Sequence, residues 1–141
     1  MTCAGAHTVG VSRCNRFANK IYNFSYSNQV DHTLDPSYAS QLQANCPIDV
    51  DLTTIVVGMD PQTPQQFDNA YYQDLQSHEG LFTSDEVLFT DSRSASTVNS
   101  FAASTDSFQT AFVTAITNLG RTGVKTGNDG EIRRDCTAFN S

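Results

Sequence analysis

The sequence predicts a mainly α protein with little or no sheet, and three observations carry that reading. Phe108, Ala111, Phe112, Ala115, Ile116 and Leu119 recur at helical spacing and run into Gly120, a helix stop. Asp35-Pro36-Ser37 has the form of a helix start, with proline at the first helical position. The short apolar run Ile55-Val56-Val57 is a strand or a buried segment, which periodicity cannot decide, so little sheet is expected.

The elements follow in order. Residues 2–22 read as one helix, with Ala4, Val11, Ala18 and Ile21 along a stripe and Cys14 and Phe17 beside it. Only Thr2 is available to cap it. His7 and Cys14, seven positions apart, face nearly the same way. Residues 23–36 are polar and loop-like. The helix that opens at Asp35-Pro36 carries Tyr38 and Leu42 and ends near Cys46-Pro47. Asp60 to Asp68 form an oxygen-rich loop stiffened by Pro61 and Pro64. A helix over 69–76 buries Tyr71, Tyr72 and Leu75, and Gly80 ends it after His78-Glu79. Ser84 or Asp85 caps a further helix through Val87, Leu88 and Phe89. Helices fit 94–103 and 105–119. The tail, 121–141, looks extended and tethered rather than helical. No internal repeat is present.

Composition bounds the function. A chain of 141 residues is one domain's worth, and 38% hydrophobic with 16% charged residues is a globular composition. Eight Lys and Arg against 15 Asp and Glu leave a net charge of -7. That argues against nucleic acid, whose phosphates want a basic face, and against a basic membrane anchor. No stretch approaches a membrane span. Met1-Thr2-Cys3-Ala4-Gly5-Ala6-His7 has none of the features of a signal peptide.

The cysteines stand at 3, 14, 46 and 136, with no CxxC pair, which disfavours a zinc knuckle or a thioredoxin-type motif. Three disulfide pairings remain open. His7 lies in the most apolar helix. It is either a core histidine bonded to a backbone carbonyl or a transition-metal ligand. His32 and His78 sit in polar loops and read as solvated. Asp60, Thr63 and Asp68 place two carboxylates and a hydroxyl within nine residues, which suits either turn chemistry or a hard cation such as Ca²⁺. Asp85 is a helix cap, a solvated charge or the orienter of an imidazole. Asn23-Phe24-Ser25 is a glycosylation sequon. No G-x-S-x-G, phosphate loop or dinucleotide fingerprint occurs.

The string Ala4-Gly5-Ala6-His7-Thr8-Val9-Gly10, followed by Ser12-Arg13-Cys14 and Phe17, strongly resembles the proximal haem motif of secretory plant peroxidases. Lys20-Ile21-Tyr22-Asn23, Leu34-Asp35-Pro36, Asn45-Cys46-Pro47 and Met59-Asp60 through Thr63-Pro64 follow in the order that family has. Phe67-Asp68-Asn69-Ala70-Tyr71-Tyr72, Gly80-Leu81 with Ser84-Asp85, Gly130-Glu131-Ile132-Arg133 and Cys136 complete it. The resemblance covers the whole chain but only the C-terminal half of the family.

The resemblance implies the proximal half of the plant haem peroxidase fold, with 1–141 as a partial domain and a distal N-terminal half missing. It implies His7 as the axial ligand of haem b iron, Asp85 as the acceptor for its other ring nitrogen, and Met59 packed near the imidazole. It implies a proximal Ca²⁺ site from Thr8, Asp60, Thr63, the backbone carbonyl of Gln66, and Asp68. Cys14 and Cys46 match a family disulfide, while Cys136 matches a cysteine whose partner lies in the other half. Cys3 stands where the family usually has an aliphatic residue. Asn23 falls in a surface loop, fit for a glycan. The implied activity is oxidation of phenolic or similar donors by hydrogen peroxide, in an extracellular or cell-wall setting, with the vacuole as a variant. The distal histidine and arginine that move the peroxide proton and stabilise the departing charge belong to the missing half. A non-catalytic fragment with weak haem or calcium binding is therefore the alternative expectation, with apolar surface exposed where that half would pack.

Overall fold

The computed structural model describes residues 2–141. Two short strands, β1 (Val11–Arg13) and β2 (Val56–Gly58), form an antiparallel pair with Val11 opposite Gly58 and Arg13 opposite Val56. The described residues form six α-helices: α1 (Ala18–Ile21), α2 (Pro36–Asn45), α3 (Ala70–Gln76), α4 (Thr83–Thr90), α5 (Ala95–Ala102) and α6 (Thr105–Arg121). The mainly α expectation holds.

The single helix expected over 2–22 is corrected. Thr2–Thr8 is a 3₁₀ helix, β1 follows, and Cys14–Arg16 is a second 3₁₀ turn before α1. Gly10 at φ +100 breaks the run, because that backbone conformation cannot continue a right-handed helix. The Gly10 N–H then donates to the Pro64 carbonyl and its carbonyl accepts from Met59 N–H, so 10–14 leave the helix to bond with 55–64. The apolar run at 55–57 resolves into β2.

Asp35 caps α2 as expected, its carboxylate accepting from Tyr38 N–H at 2.9 Å. Cys14 and Cys46 are bonded, joining the second 3₁₀ turn to the end of α2. Neither Ser84 nor Asp85 is the cap of α4. Phe82 holds that position, and Asp85, third in the helix, reaches back to accept the Phe82 N–H at 2.9 Å. Gly120 does not stop α6, which runs to Arg121.

The core has two parts. Cys14, Phe17, Ile21, Leu34, Tyr38, Ala39, Leu42, Cys46 and Leu81 form one around α1 and α2. Tyr71, Tyr72, Leu75, Val98, Phe101, Ala102 and Phe108 form the other, between α3, α5 and α6. The N-terminal 3₁₀ helix lies on the second. A Cβ at Gly5 would meet Phe108 at 2.4 Å, so only glycine allows that approach. Farther along α6, Val113, Ile116 and Leu119 are exposed, as are all of 122–141. The tail bonds to itself, with Arg133 over the Phe139 ring at 4.2 Å, and the tethering expected of it is not found. No described helix is long and apolar enough to cross a membrane.

Candidate functional site

The imidazole of His7 leaves the 3₁₀ helix at its last turn and meets the first turn of α4. Its Nδ1 lies 3.0 Å from Asp85 Oδ1. Tyr71, on α3, donates its hydroxyl to the same oxygen at 2.9 Å. The carboxylate is almost fully buried, and with the Phe82 N–H on Oδ2 it accepts three hydrogen bonds. A buried carboxylate needs that satisfaction. Its acceptor role fixes the proton on Nδ1 and leaves Nε2 as a lone-pair donor. Tyr71 and Phe82 stand edge-on to the imidazole, with centroids at 5.8 and 5.4 Å, and hold its plane. The side chain is 33% exposed, so part of the ring remains accessible.

Buried Lys20 fixes the approach to α4. Its Nζ donates to the Gly80 carbonyl at 2.9 Å and stands 3.7 Å from Asp31. Burial pushes the Lys20 pKa down, opposed by the negative charges of Glu86, Asp31 and Asp85. Glu86 accepts from the Gly80 N–H at 2.8 Å and also meets His78 Nδ1 at 3.3 Å. His78 is thus half-exposed and paired, rather than simply solvated as expected. His32 is exposed.

One residue beyond His7, Thr8 turns inward and is fully buried. The pairing of β1 with β2 brings the segment before β1 alongside the segment after β2, where Asp60 is also fully buried. Four oxygens close a ring here. Thr8 Oγ1 is 3.3 Å from Asp60 Oδ2 and 3.4 Å from Asp68 Oδ1, and Thr63 Oγ1 is 3.4 and 3.1 Å from the same two. These edges are long for hydroxyl hydrogen bonds, which centre near ~2.7–2.8 Å. They suit oxygens sharing a cation at ~2.3–2.6 Å. Asp60 Oδ1 is held by the N–H groups of Gln62 and Thr63 at 2.8 Å, and Asp68 Oδ1 by Ala70 N–H at 2.9 Å. Among the described residues no Lys, Arg or His pairs with Asp60 or Asp68. Their charges lack compensation, and a hard divalent cation fits the donor set. Among the described residues no three or more His, Cys, Asp or Glu side chains gather to hold a metal. Hydroxyl and carbonyl oxygens would have to complete the shell. The Gln66 carbonyl lies in the same loop, accepting Asp68 N–H at 3.2 Å.

Met59 packs, partly buried, with the first core. Asn23 is exposed. Cys3 and Cys136 are free thiols, Cys3 half-buried and Cys136 exposed. Two site residues carry no signal in the sequence pattern. Tyr71 sits at a helical core spacing that gives no hint of its bond to Asp85. Asp74, on the same helix, is buried with Oδ1 bonded to Gln62 at 2.6 Å, while Oδ2 has no partner. Burial, with help from the nearby charge of Asp60, raises its pKa to about 7.

A family model described as peroxidase matches residues 1–104. The chain is 58% identical over 137 residues to Peroxidase 16 of Arabidopsis thaliana, covering 97% of this chain and 42% of that protein. It is 55% identical over 137 residues to Peroxidase 45 of the same plant, covering 97% and 42%. With Peroxidase 5 of Vitis vinifera it shares 40% over 141 residues, covering 100% and 43%. The chain thus spans about two-fifths of the length of these relatives.

Proposed function

The chain belongs to the peroxidase family, and on that premise we propose that residues 1–141 form the part of a haem peroxidase that grips haem b from its proximal side. His7 Nε2 is the iron ligand in this reading. What supports it is one relationship: a third-exposed imidazole whose other nitrogen is 3.0 Å from a buried carboxylate. The donor set suits iron, since a neutral imidazole backed by a carboxylate is a strong σ-donor. When bound, haem supplies the redox chemistry by which hydrogen peroxide oxidises phenolic or similar donors.

The chain's own residues then have defined tasks. Asp85 holds the Nδ1 proton and orients the ring. Tyr71 and Phe82 fix its plane, and Met59 completes the apolar packing on this side. Thr8, Asp60, Thr63, Asp68 and the Gln66 carbonyl hold Ca²⁺. Because Thr8 adjoins His7, the cation braces the backbone that carries the iron ligand. The setting proposed is extracellular or cell-wall, with Asn23 as a glycan acceptor. The acid-base groups that act on peroxide lie outside this chain.

The test uses the natural product that carries this chain, loaded with haem and calcium. Peroxide-dependent oxidation of a phenolic donor is followed in the wild type and in His7→Ala. The expected result is steady turnover in the first and at least a hundredfold loss in the second. No peroxide-dependent oxidation in the wild type would leave only the non-catalytic alternative.

A further inference from the structure

Asp85 Oδ1 serves two side chains at once, His7 Nδ1 at 3.0 Å and the Tyr71 hydroxyl at 2.9 Å. Tyr71 and Asp85 are both about 98% buried, so water does not compete for either bond. A carboxylate oxygen has a limited charge to share between its donors. From this shared acceptor we infer that Tyr71 is a positioning residue that tempers the His7–Asp85 hydrogen bond and so sets how strongly His7 Nε2 donates to iron. The inference rests on the reading of His7 as the axial ligand.

Tyr71 donates a phenolic proton to the oxygen that pulls on the Nδ1 proton. That donation draws charge from the carboxylate and weakens its hold on the imidazole. Tyr71→Phe removes the hydroxyl and keeps the ring, together with its edge contacts to His7 and Tyr72 at 5.8 and 5.0 Å. Asp85 Oδ1 is then left with His7 alone. The imidazole gains anionic character, and its Nε2 becomes the stronger donor. A tyrosine that merely satisfied a buried polar group would cost stability when changed and would not touch the metal.

The haem-loaded protein, reduced to the ferrous state, reports the iron–imidazole stretch by resonance Raman spectroscopy, and its ferric/ferrous potential is measured alongside. Tyr71→Phe is expected to raise the stretching frequency and lower the potential. Asp85→Asn, which weakens the pull on Nδ1, is expected to shift both the opposite way and serves as the yardstick. If Asp85→Asn moves the band and Tyr71→Phe leaves it still or lowers it, the tyrosine has no such role. If the wild type lacks the band, or His7→Ala keeps it, the axial-ligand reading fails and this inference falls with it.

Discussion

Asp85 and His7 stand 78 positions apart and meet at 3.0 Å, with the carboxylate supplied by the first turn of a helix that it helps to start. One side chain therefore serves fold and site together. It satisfies the Phe82 N–H at the entrance of α4, and the same group orients the imidazole. Asp85→Ala leaves three buried or half-buried donors without an acceptor and should cost about 3–5 kcal/mol. Asp85→Asn keeps an acceptor oxygen and should cost about half as much. Urea denaturation separates the two; equal losses would show that the hydrogen bonds do not carry the stability.

Calcium removal should destabilise the protein. With the cation at a hundredfold excess over its dissociation constant, chelation is expected to cost about 2.7 kcal/mol, read as a fall in Tm. Thr8→Val and Asp60→Asn should each abolish most of the difference between chelated and calcium-loaded samples. A calcium-dependent Tm that survives Asp60→Asn would place the cation elsewhere.

The Cys14–Cys46 bond closes a separation of 32 residues between the second 3₁₀ turn and the end of α2. On the chain-entropy model, a loop of that size contributes about 3.5–4 kcal/mol. The double substitution of both cysteines by serine should lower the denaturation free energy by that order. In the 141-residue chain by itself, Cys136→Ser should change it little, since that thiol is exposed and free there. A larger effect from Cys136 than from the pair would reverse this assignment.

Asp74 makes stability depend on pH. Its folded-state pKa is raised from 3.8 to about 7, so the folded chain keeps a proton that the unfolded chain loses. Stability contributed by this group falls as pH rises between those values and is flat above pH 7. Asp74→Asn should keep the bond from Gln62, remove that slope and stabilise the protein above pH 7 by a few kcal/mol at most. The measurement is the denaturation midpoint at several pH values in chelator. A slope unchanged by the substitution would assign it to another group.

The legible parts were those with local causes. Asp35-Pro36 announces α2 because its cap and first-turn proline act within four residues. The spacing through Phe108 and Phe112 announces α6. The first twenty residues misled because their apolar spacing mimics a helix, while the glycine at φ +100 and a long-range pairing with 56–58 decide the backbone. Residue type alone leaves His7 between a core histidine and a ligand. Only the family resemblance paired it with Asp85, because contacts across 78 positions leave no trace in periodicity. The bond from Tyr71 to Asp85 and the burial of Asp74 lay beyond either kind of reading, since a core tyrosine and a solvated aspartate look the same in one dimension.

The most direct test of the central claim is a haem titration of the protein that carries this chain, read by its Soret absorption, for the wild type and His7→Ala, with and without added imidazole. Saturable binding with a histidine-ligated spectrum is expected in the wild type, with its loss in His7→Ala and its recovery when imidazole fills the place of the missing ring. An identical spectrum in both proteins, untouched by imidazole, would contradict it.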